Sequence, residues 1–180
     1  TPWTELWEDP NMLAGVGTQG AEDAWYLAAL ELEDMATRDF PYCGGTADIM
    51  KFFDQIPRQL VYKIAAVAGM PPQILDCYRS YQEKLVIRNS LSGGLGLPYT
   101  RRVAIPQGCP LSMMCMAITM RPWVLQQRGL GAIPRVLADD MLTIVRGPDH
   151  WAKFIHAYHL THAFLIAIGA HRSQQVVHLH

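Results

Sequence analysis

The sequence predicts an α+β fold: a mainly antiparallel sheet with helices packed on one face, built as one domain over residues 1–180. Three observations lead there. Apolar residues recur at helical spacing in several long segments, short runs of β-type residues stand between them, and two of those runs flank the pair Asp139-Asp140 as a hairpin. A chain of 180 residues that is 50% hydrophobic and 17% charged has enough apolar surface to bury one sizeable core.

Taken in order, Ala21 to Thr37 carries Trp25, Leu27, Leu30, Leu32 and Met35 and suits an amphipathic helix, which Pro41 to Gly45 then breaks. Thr46 to Lys51 reads as a short strand. Pro57 is tolerated beside a first helical turn, where no N–H is needed, and opens a helix over Arg58–Ala68 that Gly69 stops. Pro71 and Pro72 open the next helix, to about Glu83. Leu85 with Ile87, and Val103 with Ile105, alternate as strands around Ser92-Gly93-Gly94-Leu95-Gly96, giving a hairpin arm. A helix is expected over Pro110–Gln127, strands over Arg135–Ala138 and Leu142–Val145, and a last helix over His150–Ile168.

Composition narrows the function classes. No stretch approaches the roughly 18 apolar residues of a membrane span, and Cys43, Cys77, Cys109 and Cys115 lack the paired spacing of a structural zinc or redox dithiol. The chain starts Thr1-Pro2-Trp3 without an initiator Met or a signal core, so it reads as an excerpt of an intracellular protein, nuclear or cytoplasmic. Net charge is −1, but its distribution is uneven: −9 over residues 1–50, +5 over 51–102 and +3 over 103–180. The basic side chains Arg58, Lys63, Arg79, Lys84, Arg88, Arg101 and Arg102 crowd the middle, where they could track a phosphate backbone or form a solvated face. His156, His159 and His162 recur every three residues, a step that drifts round a helix, and no Cys or carboxylate accompanies them at a zinc-binding spacing.

Three short motifs carry the chemistry. In Ala47-Asp48-Ile49-Met50-Lys51-Phe52-Phe53-Asp54, Asp48 ends a strand; such an aspartate is a candidate metal ligand or simply a helix cap. In Ile105-Pro106-Gln107-Gly108-Cys109-Pro110-Leu111-Ser112, a glycine-containing turn feeds a helix, and Gly108 lets backbone approach a ligand closely. In Val136-Leu137-Ala138-Asp139-Asp140-Met141-Leu142, two adjacent acids lie between apolar strands. Successive strand residues face opposite sides, so both acids can approach one ion only where the strand reverses. Asp-rich hairpin tips are also common as plain solvated turns.

The order of these motifs resembles motifs A, B and C of reverse transcriptases, most closely the non-LTR retrotransposon and group II intron branches. The resemblance spans about residues 19–170, with Gln19-Gly20-Ala21-Glu22-Asp23-Ala24 similar to the end of the fingers segment before motif A. It implies a right-hand polymerase palm with partial fingers, lacking a thumb and the N-terminal fingers, and ordinarily part of a larger polyprotein. The implied activity is RNA-templated DNA polymerisation, with an RNA template, a DNA primer and deoxynucleoside triphosphates as partners and no membrane. The alternatives are a catalytically degenerate palm that binds RNA, and an RNA-dependent RNA polymerase.

Carried over by position, the resemblance makes Asp48, Asp139 and Asp140 the catalytic acids, and makes these three with the Ile49 carbonyl the ligands of two Mg²⁺ ions, Mn²⁺ being an alternative. It places Phe53 as a steric gate against a ribose 2′ hydroxyl, and Gln107 and Gly108 against the template base or incoming nucleotide. Two departures stand out. Leu137 replaces the usual aromatic before Ala-Asp-Asp, and His171-Arg172 occupies the place of a motif D lysine, where arginine is a weak general acid and His171 could donate a proton if it reached the pyrophosphate.

Overall fold

A computed structural model describes residues 3–14, 20–106 and 108–170, together with the backbone of 173–178. After a short 3₁₀ turn at Trp3–Leu6 come α1 (Ala21–Thr37), β1 (Tyr42–Ile49), α2 (Phe52–Gln55), α3 (Arg58–Val67) and α4 (Pro72–Lys84). The small hairpin β2 (Ser90–Leu91) and β3 (Gly94–Leu95) follows, then α5 (Ser112–Gly129), β4 (Ile133–Leu137), β5 (Asp140–Arg146), α6 (His150–Ala167) and β6 (Ser173–His178). The four long strands form one sheet in the order β4-β5-β1-β6, and every neighbouring pair is antiparallel. The α+β fold with an antiparallel sheet is thus the one observed.

Register decides what each face carries. Ala47 pairs with Met141, Gly45 with Thr143 and Cys43 with Val145, and Met141 pairs in turn with Val136. These residues share one face, because alternate residues of a strand point the same way. Helices α5 and α6 cover that face. Buried Trp123 of α5 donates its indole N–H to Thr161 Oγ1 of α6 at 2.9 Å, and Gln127 Nε2 donates to the same oxygen and to the Ala157 carbonyl, both at 3.0 Å. Thr46, Asp48, Asp140, Leu142 and Arg135 share the opposite face. Helix α1 touches that face at β4, where Arg135 Nη2 meets Glu31 Oε2 at 2.6 Å. The end of the face that bears Asp48 and Asp140 is open to solvent.

Several elements depart from the sequence-based expectation, each for a packing reason. The strand expected over Thr46–Lys51 begins earlier, at Tyr42, and ends at Ile49. Gly44 belongs to the strand: a Cβ there would lie 3.0 Å from the Thr143 carbonyl oxygen, so glycine is what lets β1 approach β5 so closely. Val103 and Ile105 are not strand residues. The segment they occupy is instead strapped to α2, with Ala104 N–H donating to the Ile56 carbonyl at 3.0 Å and Ile105 N–H to the Phe53 carbonyl at 2.8 Å. Of the apolar positions expected to bury α1, only Met35 does so; Trp25 is 77% exposed and Leu30 60%. β6 falls in a segment whose sequence carried no strand expectation.

Arg58, counted by sequence among the phosphate-tracking cations, is 3% exposed. It falls on the same helical stripe as Val61, Tyr62 and Ala65, all buried, so it faces the interior rather than solvent.

Candidate active site

The β4–β5 hairpin supplies two of the three candidate acids. Leu137 pairs with Asp140, leaving Ala138 and Asp139 as a two-residue turn. Ala138 takes the positive φ, 55°, that such tight turns require, so Asp139 is spared the strained position. β1 supplies the third. Asp48 lies directly opposite Asp140 in register, and residues so paired hold their side chains on the same face, with Cβ atoms about 4.5–5.5 Å apart. The Asp139 carbonyl, at the tip, accepts the Ile49 N–H at 3.3 Å and so ties the turn to the end of β1. Residues more than eighty positions apart in sequence are brought together by one register.

The electrostatics agree with this proximity. Burial, then the Asp139 charge, then the Asp48 charge push the Asp140 carboxyl above its ordinary value. Among the described residues, no three His, Cys, Asp or Glu side chains are gathered as a ready-made metal cage. The donor set itself, carboxylate oxygens with an adjacent backbone carbonyl, suits a hard divalent ion such as Mg²⁺.

A carboxyl whose pKa is higher folded than unfolded binds its proton more tightly in the folded state. Its contribution to stability is therefore greatest below the unfolded pKa and is lost as pH rises through the folded value. Asp140→Asn is accordingly expected to raise the melting temperature at neutral pH in metal-free buffer, and to give no gain below the ordinary carboxylate range. Thermal denaturation of both proteins across that range checks this; an equal change at every pH would contradict it.

The other candidate residues lie on the adjoining segments. Lys51, in the left-handed region at φ 53°, turns the chain from β1 into α2. Phe52 is buried, while Phe53 is half-buried, edge-on to Phe52 with ring centroids 5.6 Å apart. One side of the Phe53 ring packs on the core and the rest remains accessible. Because its carbonyl accepts the Ile105 N–H, Phe53 is fastened to the segment that leads into Gly108. Gly108 is exposed with φ 86°, and no heavy atom lies within 4 Å of the position a Cβ would take. Glycine is required there by backbone conformation rather than by crowding. Gln107, Gln19, His171 and Arg172 lie outside the described residues.

Sequence reasoning missed the supports beneath this turn. Tyr78 and Gln82 of α4 are buried, and each reaches Cys109 Sγ at 3.7 Å. The signal was available: Leu75, Tyr78 and Gln82 recur at helical spacing on the inner side of α4.

No family model and no curated protein matches the sequence. Among solved structures, the chain is similar to telomerase from Candida albicans in complex with a TWJ fragment of telomeric RNA, with TM-score 0.68 and 16% identity over 97% of this chain and 32% of that one. It is also similar to apo telomerase from Candida tropicalis truncated from its C-terminal domain, with TM-score 0.64 and 14% identity over 93% of this chain and 36% of that one. The chain thus spans about a third of the length of these telomerases. The likeness establishes a fold shared with these two proteins.

Proposed function

We propose that the chain is the palm, with part of the fingers, of a reverse transcriptase that extends a DNA primer on an RNA template. The observation that carries this reading is the register that sets Asp48 against Asp140, with Asp139 at the adjacent turn, on the open face of the sheet. The order of the three motifs supports a retroelement enzyme of the non-LTR or group II intron kind, working inside the cell within a larger polyprotein.

In this reading Asp48, Asp139 and Asp140, with the Ile49 carbonyl, hold two Mg²⁺ ions. When bound, such a pair stabilises both the attacking and the leaving oxygens of an in-line displacement. The chain's own residues position the reactants. The acids fix negative charge at the end of a rigid sheet, where small displacements would misalign the primer 3′ oxygen. Gly108 lets backbone lie against the incoming nucleotide or template base, with Gln107 beside it. The accessible side of Phe53 limits room at the sugar 2′ position. By the resemblance, RNA polymerases place an acid where this chain has Phe53, and Asp54 comes one position later, which supports a deoxynucleotide substrate over a ribonucleotide one.

The test is primer extension by the longest polypeptide that carries these residues, offered deoxy- and ribonucleotides separately. Extension by neither overturns the reading. Phe53→Val is expected to admit ribonucleotides, with discrimination falling by at least about tenfold, the scale of one lost steric contact. Its melting temperature should fall only modestly, since Phe52 rather than Phe53 is fully buried. Unchanged sugar discrimination in a folded Phe53→Val protein removes the gate.

A further inference from the structure

We propose that the outer face of α1 is a docking site for a basic amphipathic helix presented by a partner protein.

The case starts from how little of α1 is covered. Helices in proteins are stabilised mainly by packing an apolar face, yet of the residues of α1 only Met35 is buried. The inner side is held to β4 through the ion pair of Glu31 with Arg135. The large apolar residues lie on the outer side, where Trp25, Tyr26, Leu30 and Leu32 are all exposed. Single exposed apolar residues are ordinary, but these adjoin one another, since residues three and four apart are neighbours on a helix. Ala29, also exposed, stands three or four positions from Trp25, Tyr26 and Leu32 and is small among them. That leaves a hole of the kind into which a side chain of a facing helix inserts as a knob. A contiguous apolar patch of this sort marks an interaction surface.

Charge selects the partner. α1 carries Glu22, Asp23, Glu31, Glu33 and Asp34 and neither lysine nor arginine. Three of these acids are engaged: Asp23 accepts the Gly20 N–H at 2.8 Å, Glu31 pairs with Arg135 and Asp34 with Arg38. Glu22 and Glu33 are exposed, and among the described residues neither carboxylate has an ion-pair partner. They bracket the hole. Glu22 adjoins Trp25 and Tyr26, Glu33 adjoins Ala29 and Leu30, and the two stand three turns apart, roughly 16 Å along the axis. A facing helix with an apolar knob and a lysine or arginine on each side of it satisfies the hole and both acids. The same acids repel a phosphate backbone or an anionic lipid surface.

Fluorescence anisotropy of a labelled synthetic helix, leucine on one face and lysine on the other, titrated with the whole chain, tests the surface. A scrambled peptide of the same composition keeps the charge and loses the apolar face. The amphipathic peptide is expected to bind at least about tenfold more tightly than the scrambled one, and Trp25→Ala to lose at least about tenfold in affinity, as at a central aromatic contact. Glu33→Lys should weaken the lysine peptide about threefold, the scale of one exposed ion pair, and should favour a peptide with glutamate in place of lysine. Equal binding of the amphipathic and scrambled peptides, or unchanged affinity in Trp25→Ala, overturns the site. So does self-association of the chain that Trp25→Ala abolishes, which would make a second copy the occupant, and so does RNA binding that the same change abolishes. If Trp25→Ala fails to fold, Leu30→Ser, at another exposed position, takes its place with the same expectation. Because the readout involves no nucleotidyl transfer, this inference and the proposed polymerase activity stand or fall independently.

Discussion

Asp139→Ala is expected to lower primer extension by at least about 10²-fold, the scale seen when one charge-stabilising group is removed from a reacting centre, while leaving the fold within roughly 0.5 kcal/mol of the parent. The second half of that expectation comes from the geometry. Asp139 contributes to the fold through its backbone carbonyl, which accepts the Ile49 N–H at 3.3 Å and survives the substitution. The positive φ of the turn sits at Ala138, so alanine at the next position meets no strain. Asp48→Asn should behave alike, because it preserves shape while removing one of the facing charges. Single-turnover extension measured beside circular-dichroism melting separates chemistry from stability. A folded Asp139→Ala protein that still extends primers at the parental rate would end the two-metal reading.

The largest effect on stability is expected at Trp123. Its ring is fully buried between the sheet and α6, against a space lined by Gly45, Ala47, Met141, Thr143 and Phe154. Small strand residues leave room for this ring, so its loss cannot be filled by collapse of the neighbours. Truncating such a side chain costs about 3–5 kcal/mol. In addition, Thr161 Oγ1 would lose one of its two donors, although Gln127 retains its own bond to it. Trp123→Ala should therefore melt on the order of 10 °C below the parent in a chain of this size. A melting temperature within 2–3 °C of the parent would mean that α6 packs on the sheet by other contacts.

The parts of the fold legible in sequence are those punctuated locally. Pro57 and Gly69 bracket α3, Pro71 and Pro72 open α4, and the apolar spacing over residues 21–37, 112–129 and 150–167 marks long helices whose ends differ from expectation by only a few residues. Periodicity misleads where the partner lies far away in sequence. The apolar positions of α1 predict a buried side, yet Trp25, Tyr26 and Leu30 face solvent, since helical spacing says that a face is apolar without saying what covers it. Gly44 and Gly45 read as a chain break, and only the closeness of Thr143 explains why a strand runs through them.

Residue types and their order determined by themselves which side chains could do chemistry: three aspartates, a glycine turn and an aromatic ring, each recognisable from local context. Tertiary structure decided which of these meet and which cations stay in solvent. Register set Asp48 against Asp140, and burial took Arg58 out of the solvated basic face and left it facing a cleft. The division has a physical cause. Turn chemistry and helical periodicity act over a few residues, whereas strand pairing and burial depend on partners far along the chain, which no local pattern encodes.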